Sequence, residues 1–229
     1  MNDTQHRPIR SFVMRTGRMT VGQTRALEEF WPRYGVDFTP QALSLDAVFG
    51  RAAPRTLEIG FGNGEHLAAL AAAHPDRDYF GVEVHRPGVG HLFLLATTHN
   101  LANVRVSTHD AVEVLSEQIT PASLDEVLVL FPDPWHKKRH HKRRLIQPPF
   151  VELAVSRLNP GGVLRLATDW EPYAVQMLEV LSANPALENL SSENGYIEKT
   201  AERITTRFEK RGQRLGHGVW DLAFRRRSQ

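Results

Sequence analysis

The sequence predicts a doubly wound α/β fold with a mostly parallel sheet, on three observations. From Arg55 onward, strand-like and helix-like segments alternate with short connections, the pattern of parallel strands joined by crossover helices. The run Leu124 to Phe131 (LDEVLVLF) is nearly all apolar, as a central strand covered on both faces must be. Finally, the first strand of the series runs into a glycine-rich turn followed by a helix.

Before Arg55 no strong period is visible. Thr24 to Phe30 reads as a short helix, in a segment that Pro32, Gly35 and Pro40 break up. Thr56 to Ile59 is the first strand. Glu65 to His74 is a helix halted before Pro75, and Asp78 to Val84 is the second strand. Val89 to Asn100 reads as helix, Val104 to Thr108 as strand and Ala111 to Glu117 as helix. After the central strand, Phe150 to Leu158 is helical and stops at Asn159-Pro160-Gly161-Gly162, a turn signal. Val163 to Ala167 is a fifth strand, Glu171 to Leu181 a helix, and Val219 to Arg225 a late strand. The sequence divides into an N-terminal extension, residues 1–50, expected to be partly ordered, and a domain over 51–229. In doubly wound sheets, ligands bind beyond the carboxyl ends of the strands, so the informative residues are those just after each strand.

Composition excludes several classes. At 229 residues with 41% hydrophobic and 24% charged residues, the chain matches a soluble globular protein. Its longest apolar run, Leu67 to Ala73, is far shorter than the ~18 residues of a membrane helix. The N-terminus is polar, which points to the cytoplasm rather than export. Absence of cysteine removes disulfides, thiolate metal sites and a cysteine nucleophile. Net charge is only +2, but nine consecutive residues, His136 to Arg144, are all Lys, Arg or His. Arg7, Arg10, Arg15, Arg18 and Arg25 add a second basic stretch and Arg225 to Arg227 a third. Concentrated positive charge on a nearly balanced protein points to a polyanion.

The glycine turn is Gly60-Phe61-Gly62-Asn63-Gly64, one residue shorter than the dinucleotide spacing. Glu58 lies two positions before it, where a carboxylate repels a pyrophosphate and suits a cation. The second strand ends at Glu83, where an acid accepts from ribose hydroxyls, and the third at Asp110, placed for an adenine amine or a helix N-cap. Together these acids describe a pocket for a cationic adenosine derivative, S-adenosylmethionine, better than one for NAD. The central strand ends in Phe131-Pro132-Asp133-Pro134-Trp135, where two prolines fix the backbone that aims Asp133. A fixed carboxylate stabilises the positive charge that grows on a purine as its nitrogen is methylated. The basic run that follows neutralises phosphates. Trp135 is suited to base stacking or to core packing alike. His136, His140 and His141 are given no metal role, because the flanking cations oppose a bound metal. Asp169 is either an N-cap or a substrate contact. In Thr205 to Gly212, Glu209 can accept from the Watson–Crick edge of guanine, leaving N7 open.

At these residues the chain resembles the bacterial tRNA (guanine-N7-)-methyltransferase family. The matching stretches are Ile9 to Gln23, Leu57 to His66, Gly81 to Val89, Phe131 to Leu145, Thr168 to Trp170 and Thr206 to Leu222. The resemblance implies a Rossmann-like class I methyltransferase fold of about seven strands, the late one antiparallel. It implies that the substrate is a guanine in the tRNA variable loop and that S-adenosylmethionine contacts Glu58, Gly60, Gly62, Gly64, Glu83, Asp110, Ala111 and Asp133. Asp133 is the implied catalytic residue. Lys137, Asp169, Thr206, Arg207, Phe208 and Glu209 are implied to contact substrate, and Arg139, His140, His141, Lys142, Arg143 and Arg144 to touch RNA. Family members are monomers or homodimers. The competing readings are a methyltransferase for another target, a non-catalytic RNA-binding module and an NAD-dependent oxidoreductase.

Overall fold

A computed structural model describes residues 10–13, 17–193, 195–201, 203–204, 209 and 218–228. Its centre is a seven-stranded sheet. The strands are β1 (Arg55–Ile59), β2 (Asp78–Val82), β3 (Val104–Ser107), β4 (Leu124–Leu130), β5 (Leu158–Thr168), β6 (Leu187–Asn189) and β7 (Trp220–Arg226). Their order is β3-β2-β1-β4-β5-β7-β6. All pairings up to β5 are parallel, whereas β7 runs antiparallel to both β5 and β6. The order reverses between β1 and β4, which places the ligand crevice at the carboxyl ends of those two strands. The expected α/β sheet and its late antiparallel strand are both present. The short β6 carried no sequence signal.

Helices cover both faces. On one side α1 (Val21–Tyr34), α3 (Glu65–Ala73) and α4 (Arg86–Thr98) bury Leu27, Leu67 and Leu92 against Tyr79, Val104 and Leu128. On the other, α2 (Leu45–Phe49), α5 (Ala111–Glu113), α6 (Pro148–Arg157) and α7 (Glu171–Ser182) lie over Leu57, Val127 and Leu164. Alternate strand residues feed the two layers, which is why β4 reads as apolar from Val127 to Leu130 after the half-buried Asp125 and Glu126. No described helix is long and apolar enough to cross a membrane.

Three segments depart from the sequence reading. The first helix is twice the length expected and runs through Pro32. Thr20 and Gln23 form a capping box at its start, and beyond the proline the buried Tyr34 packs 5.5 Å from the Phe93 ring and donates its hydroxyl to Leu101 O at 3.1 Å. Anchorage on both sides outweighs the backbone hydrogen bond that proline forfeits. The turn expected at Asn159 to Gly162 lies inside β5 instead. Pairing with β4 jumps from Leu124–Leu158 to Glu126–Val163, so these residues bulge out, with Gly161 at φ +83° and Asn159 bonded to Asp125 at 3.0 Å. The expected helix after β3 is a single α turn followed by a π turn, Val114–Gln118.

Candidate active site at the strand ends

A cleft of about 220 Å³ opens at the predicted place, lined by Gly60, Gly62, Glu83, Ala111, Phe131 and Asp133 among others. Its floor is the glycine turn. Gly62 has φ +60°, a backbone that leaves its N–H pointing at the Glu83 carboxylate 2.9 Å away. The other Glu83 oxygen accepts from the His85 N–H at 2.8 Å. Two backbone donors therefore hold this acid in place on the cleft wall. Burial pushes its pKa above the ordinary glutamate value, against the lowering effect of those two bonds.

The remaining acids are placed differently from one another. Glu58 sits beneath the turn, 2% exposed, with His66 Nδ1 3.2 Å away. Asp110 caps α5 through the Val112 N–H at 2.9 Å, and its other oxygen lies 4.0 Å from Arg10 Nε. Gly64 takes the N-cap position of α3. Asp133 is exposed on the cleft wall. The residues that bracket its turn, Phe131 at φ +54° and Trp135 at φ +46°, are both left-handed, a conformation that bulky side chains rarely adopt. Such backbone persists only where the surroundings over-determine it, so the path of the Pro-Asp-Pro turn is set by its packing as well as by its prolines.

The basic run forms a 3-10 segment, Lys138–Arg143, beside the cleft. Lys137, Lys138, Arg139 and Lys142 are exposed, and His140, His141 and Arg143 half-buried. Arg144 is not. It is 3% exposed, donates to Pro134 O at 2.8 Å and lies 4.7 Å from the Tyr173 ring. It ties the end of the run back to the Asp133 turn instead of facing outward. Trp135 lies under the Arg143 guanidinium at 4.2 Å and donates its indole N–H to Ser11 O at 3.0 Å. Arg143 donates to Arg10 O at 3.2 Å and Phe12 O at 3.4 Å. Ser11 and Phe12 thus form part of the cleft wall, within a stretch that the sequence marked only by its family resemblance and to which it gave no role. A second omission did have a signal, since glycines inside a helix usually mark close packing. A Cβ on Gly88 of α4 would lie 2.0 Å from Gly62 O, so α4 presses on the glycine turn at that point.

Asp169 is half-buried just before α7, whose N-cap, Trp170, makes no side-chain cap bond. Glu209 is 2% exposed, with Lys199 Nζ at 2.9 Å from one oxygen and Arg203 Nη1 at 2.7 Å from the other. Burial raises its pKa, but the two cations more than reverse this and hold it below the usual value. Thr206, Arg207 and Phe208 lie outside the described residues. The described residues contain no cluster of three or more His, Asp or Glu able to hold a metal.

A family model described as "Putative methyltransferase" matches residues 52–222. A tRNA (guanine-N(7)-)-methyltransferase of Burkholderia cenocepacia is 58% identical over 228 residues, all of this chain and 89% of the relative. The protein of that name in Ectopseudomonas mendocina is 56% identical over 97% of this chain and 93% of its own. The chain belongs to the tRNA (guanine-N(7)-)-methyltransferase family. Among solved structures, the 16S rRNA methyltransferase KamB superposes with a TM-score of 0.60 at 15% identity, covering 80% of this chain and 93% of that one. A 16S rRNA (adenine(1408)-N(1))-methyltransferase from Catenulisporales acidiphilia, solved with its cosubstrate SAM, gives 0.56 at 17% identity, covering 84% and 93%. At such identities these two establish the shared fold, and membership of the family rests on the sequence relatives.

Proposed function

We propose that this chain transfers the methyl group of S-adenosylmethionine to N7 of a guanine in the variable loop of tRNA, forming 7-methylguanosine. The observation that carries the reading is the position of Asp133. It stands on the wall of a cleft floored by a glycine turn and Glu83, at the edge of an exposed cationic segment. The near-full-length relatives named for this reaction support it.

When bound, S-adenosylmethionine supplies a sulfonium-borne methyl, which leaves sulfur with its bonding pair left behind as guanine N7 donates its lone pair. The residues present fit that group. Glu83 is a desolvated carboxylate on the cleft wall with capacity left to accept from ribose hydroxyls. Gly60, Gly62 and Ala111 shape the wall around the nucleoside, Asp110 stands by the adenine, and Glu58 and Gly64 support the turn from below and behind. N7 carries no proton, so no base is needed. Asp133 stabilises the positive charge that develops on the purine and helps align it. Lys137, Asp169 and the segment Thr206-Arg207-Phe208-Glu209 hold the guanine by its opposite edge. Arg139, His140, His141, Lys142 and Arg143 run along the phosphates, where affinity is electrostatic and sequence-independent, with Arg144 securing the segment from behind. In this reading residues 1–50 are an extension to a catalytic domain over 51–229, and the enzyme works in the cytoplasm as a monomer or homodimer. Incubation with bulk tRNA and labelled S-adenosylmethionine, followed by nucleoside analysis, tests it. Labelled 7-methylguanosine is the expected product, and label at any other nucleoside, or none, refutes the reading.

A further inference from the structure

Glu209 belongs to a buried ionic cluster whose arginine, Arg203, has no part in the reaction as described. Arg203 is 6% exposed and joins three parts of the molecule. Its Nη1 donates to Glu209 at 2.7 Å. Its Nη2 donates to Asp221 of β7 at 2.9 Å, with Nε 2.6 Å from the second Asp221 oxygen. Its guanidinium carbon stands 5.5 Å from the centroid of the Phe131 ring, within range of a cation–π contact. Phe131 is the left-handed residue that opens the Asp133 turn, and its N–H continues the β4–β5 pairing by donating to Ala167 O at 2.7 Å. Asp221 in turn is buried enough that its pKa is raised, with Arg203 opposing the rise.

We propose that Arg203 is a positioning residue for methyl transfer, holding Glu209 in register with the Phe131–Asp133 turn. This rests on the reading that assigns Asp133 to the reacting centre and Glu209 to the guanine edge. Only a planar fork serves all three partners at once: two edges grip separate carboxylates while the face lies over a ring. Lysine, a point charge on a flexible stem, satisfies one of them. Asp221 also keeps the guanidinium compensated, so the buried cation need not depend on Glu209 alone.

The test compares Arg203→Lys, Asp221→Asn and Glu209→Gln with the parent enzyme, using tRNA carrying guanosine or inosine at the target position. Inosine lacks the exocyclic amine that Glu209 would accept from. Arg203→Lys is expected to lower kcat about tenfold or more, because a misplaced reactant forfeits alignment. It should also shrink the guanosine-over-inosine preference and leave the Kd for S-adenosylmethionine, measured without tRNA, within about twofold. Asp221→Asn should move kcat the same way by less, and it decides the matter if Arg203→Lys does not fold. A variant that melts earlier but keeps parental kcat and parental base preference overturns the proposal, since a merely structural arginine behaves that way. If Glu209→Gln keeps the full preference while Arg203 is intact, the assignment of Glu209 to the base fails instead, and kcat of the Arg203 and Asp221 variants alone judges the positioning role.

Discussion

The two flanks of the cleft are built by opposite means. On the β1–β3 flank the key groups are acids set by backbone: Glu83 between the N–H groups of Gly62 and His85, Asp110 on the N–H of Val112. On the β4 flank the key groups are cations set by side-chain stacking and borrowed carbonyls, as with Arg143 on Trp135 and on the carbonyls of Arg10 and Phe12. A nucleoside of fixed shape calls for the first kind of wall, preorganised and desolvated. A polynucleotide backbone of variable path calls for the second, where long cations adjust at low cost. Asp133 belongs to the second flank by chain position, on a turn bounded by two left-handed residues, with its side chain exposed rather than held by backbone donors as Glu83 is.

That difference can be broken or sharpened by mutation. The largest effect is expected at Asp133, where Asp133→Ala should cost about 10²–10³ in turnover with little change in tRNA affinity, checked by single-turnover kinetics and filter binding. Glu83→Gln should weaken cofactor binding by about tenfold at neutral pH, the worth of a charge-assisted hydrogen bond. The pH profile sharpens this. Burial raises the Glu83 pKa, so its ionised, accepting form is lost as pH falls through that raised value. Cofactor affinity should therefore decline on acidification above the point where an ordinary glutamate titrates, and Glu83→Gln should flatten the profile in calorimetry. The same raised pKa means the ionised carboxylate costs the cofactor-free protein stability as pH rises through the window between the unfolded and folded values. The melting temperature of the free enzyme should accordingly fall as pH rises through that window. Next, Gly88→Ala should push α4 off the Gly62 carbonyl and destabilise by about 1–3 kcal/mol in urea titration, since the added methyl meets backbone. On the other flank, replacing Lys138, Arg139 and Lys142 together with glutamine should reduce the salt slope of tRNA binding by roughly 0.7–0.9 for each phosphate left without its cation, with cofactor affinity unchanged. The smallest effect belongs to Trp135→Phe, which loses one hydrogen bond to Ser11 O, worth about 0.5–1.5 kcal/mol in the ordering of the N-terminal wall.

The first flank was legible in part: the strand-end rule places the cleft where it opens, with Gly60, Gly62, Glu83 and Ala111 in its lining, whereas Glu58, Gly64 and Asp110 lie outside that lining. The second was legible in part as well. A run of nine basic residues announces a polyanion but does not say which side chain turns inward, and the 3-10 phase that buries Arg144 while exposing Lys142 depends on Tyr173, which is remote in sequence. Ser11 and Phe12 lie in a stretch that resembles the family, but their place in the wall was not legible for a related reason, as carbonyls that every residue has accept from Trp135 and Arg143 there. Lys199 and Arg203 around Glu209 likewise follow from β7 returning to the sheet, which no local pattern encodes. Pro32 shows the reverse case, a strong local signal overruled by packing on both sides of it.

One further consequence comes from the direction of β7. Trp220, its first residue, stands opposite Thr168, the last paired residue of β5. That places the start of this reversed strand at the carboxyl ends of the parallel strands, the edge where the cleft opens. Residues added there would enlarge the rim that meets a macromolecule, on an element separate from β1, β2 and the glycine turn that line the nucleoside side of the cleft.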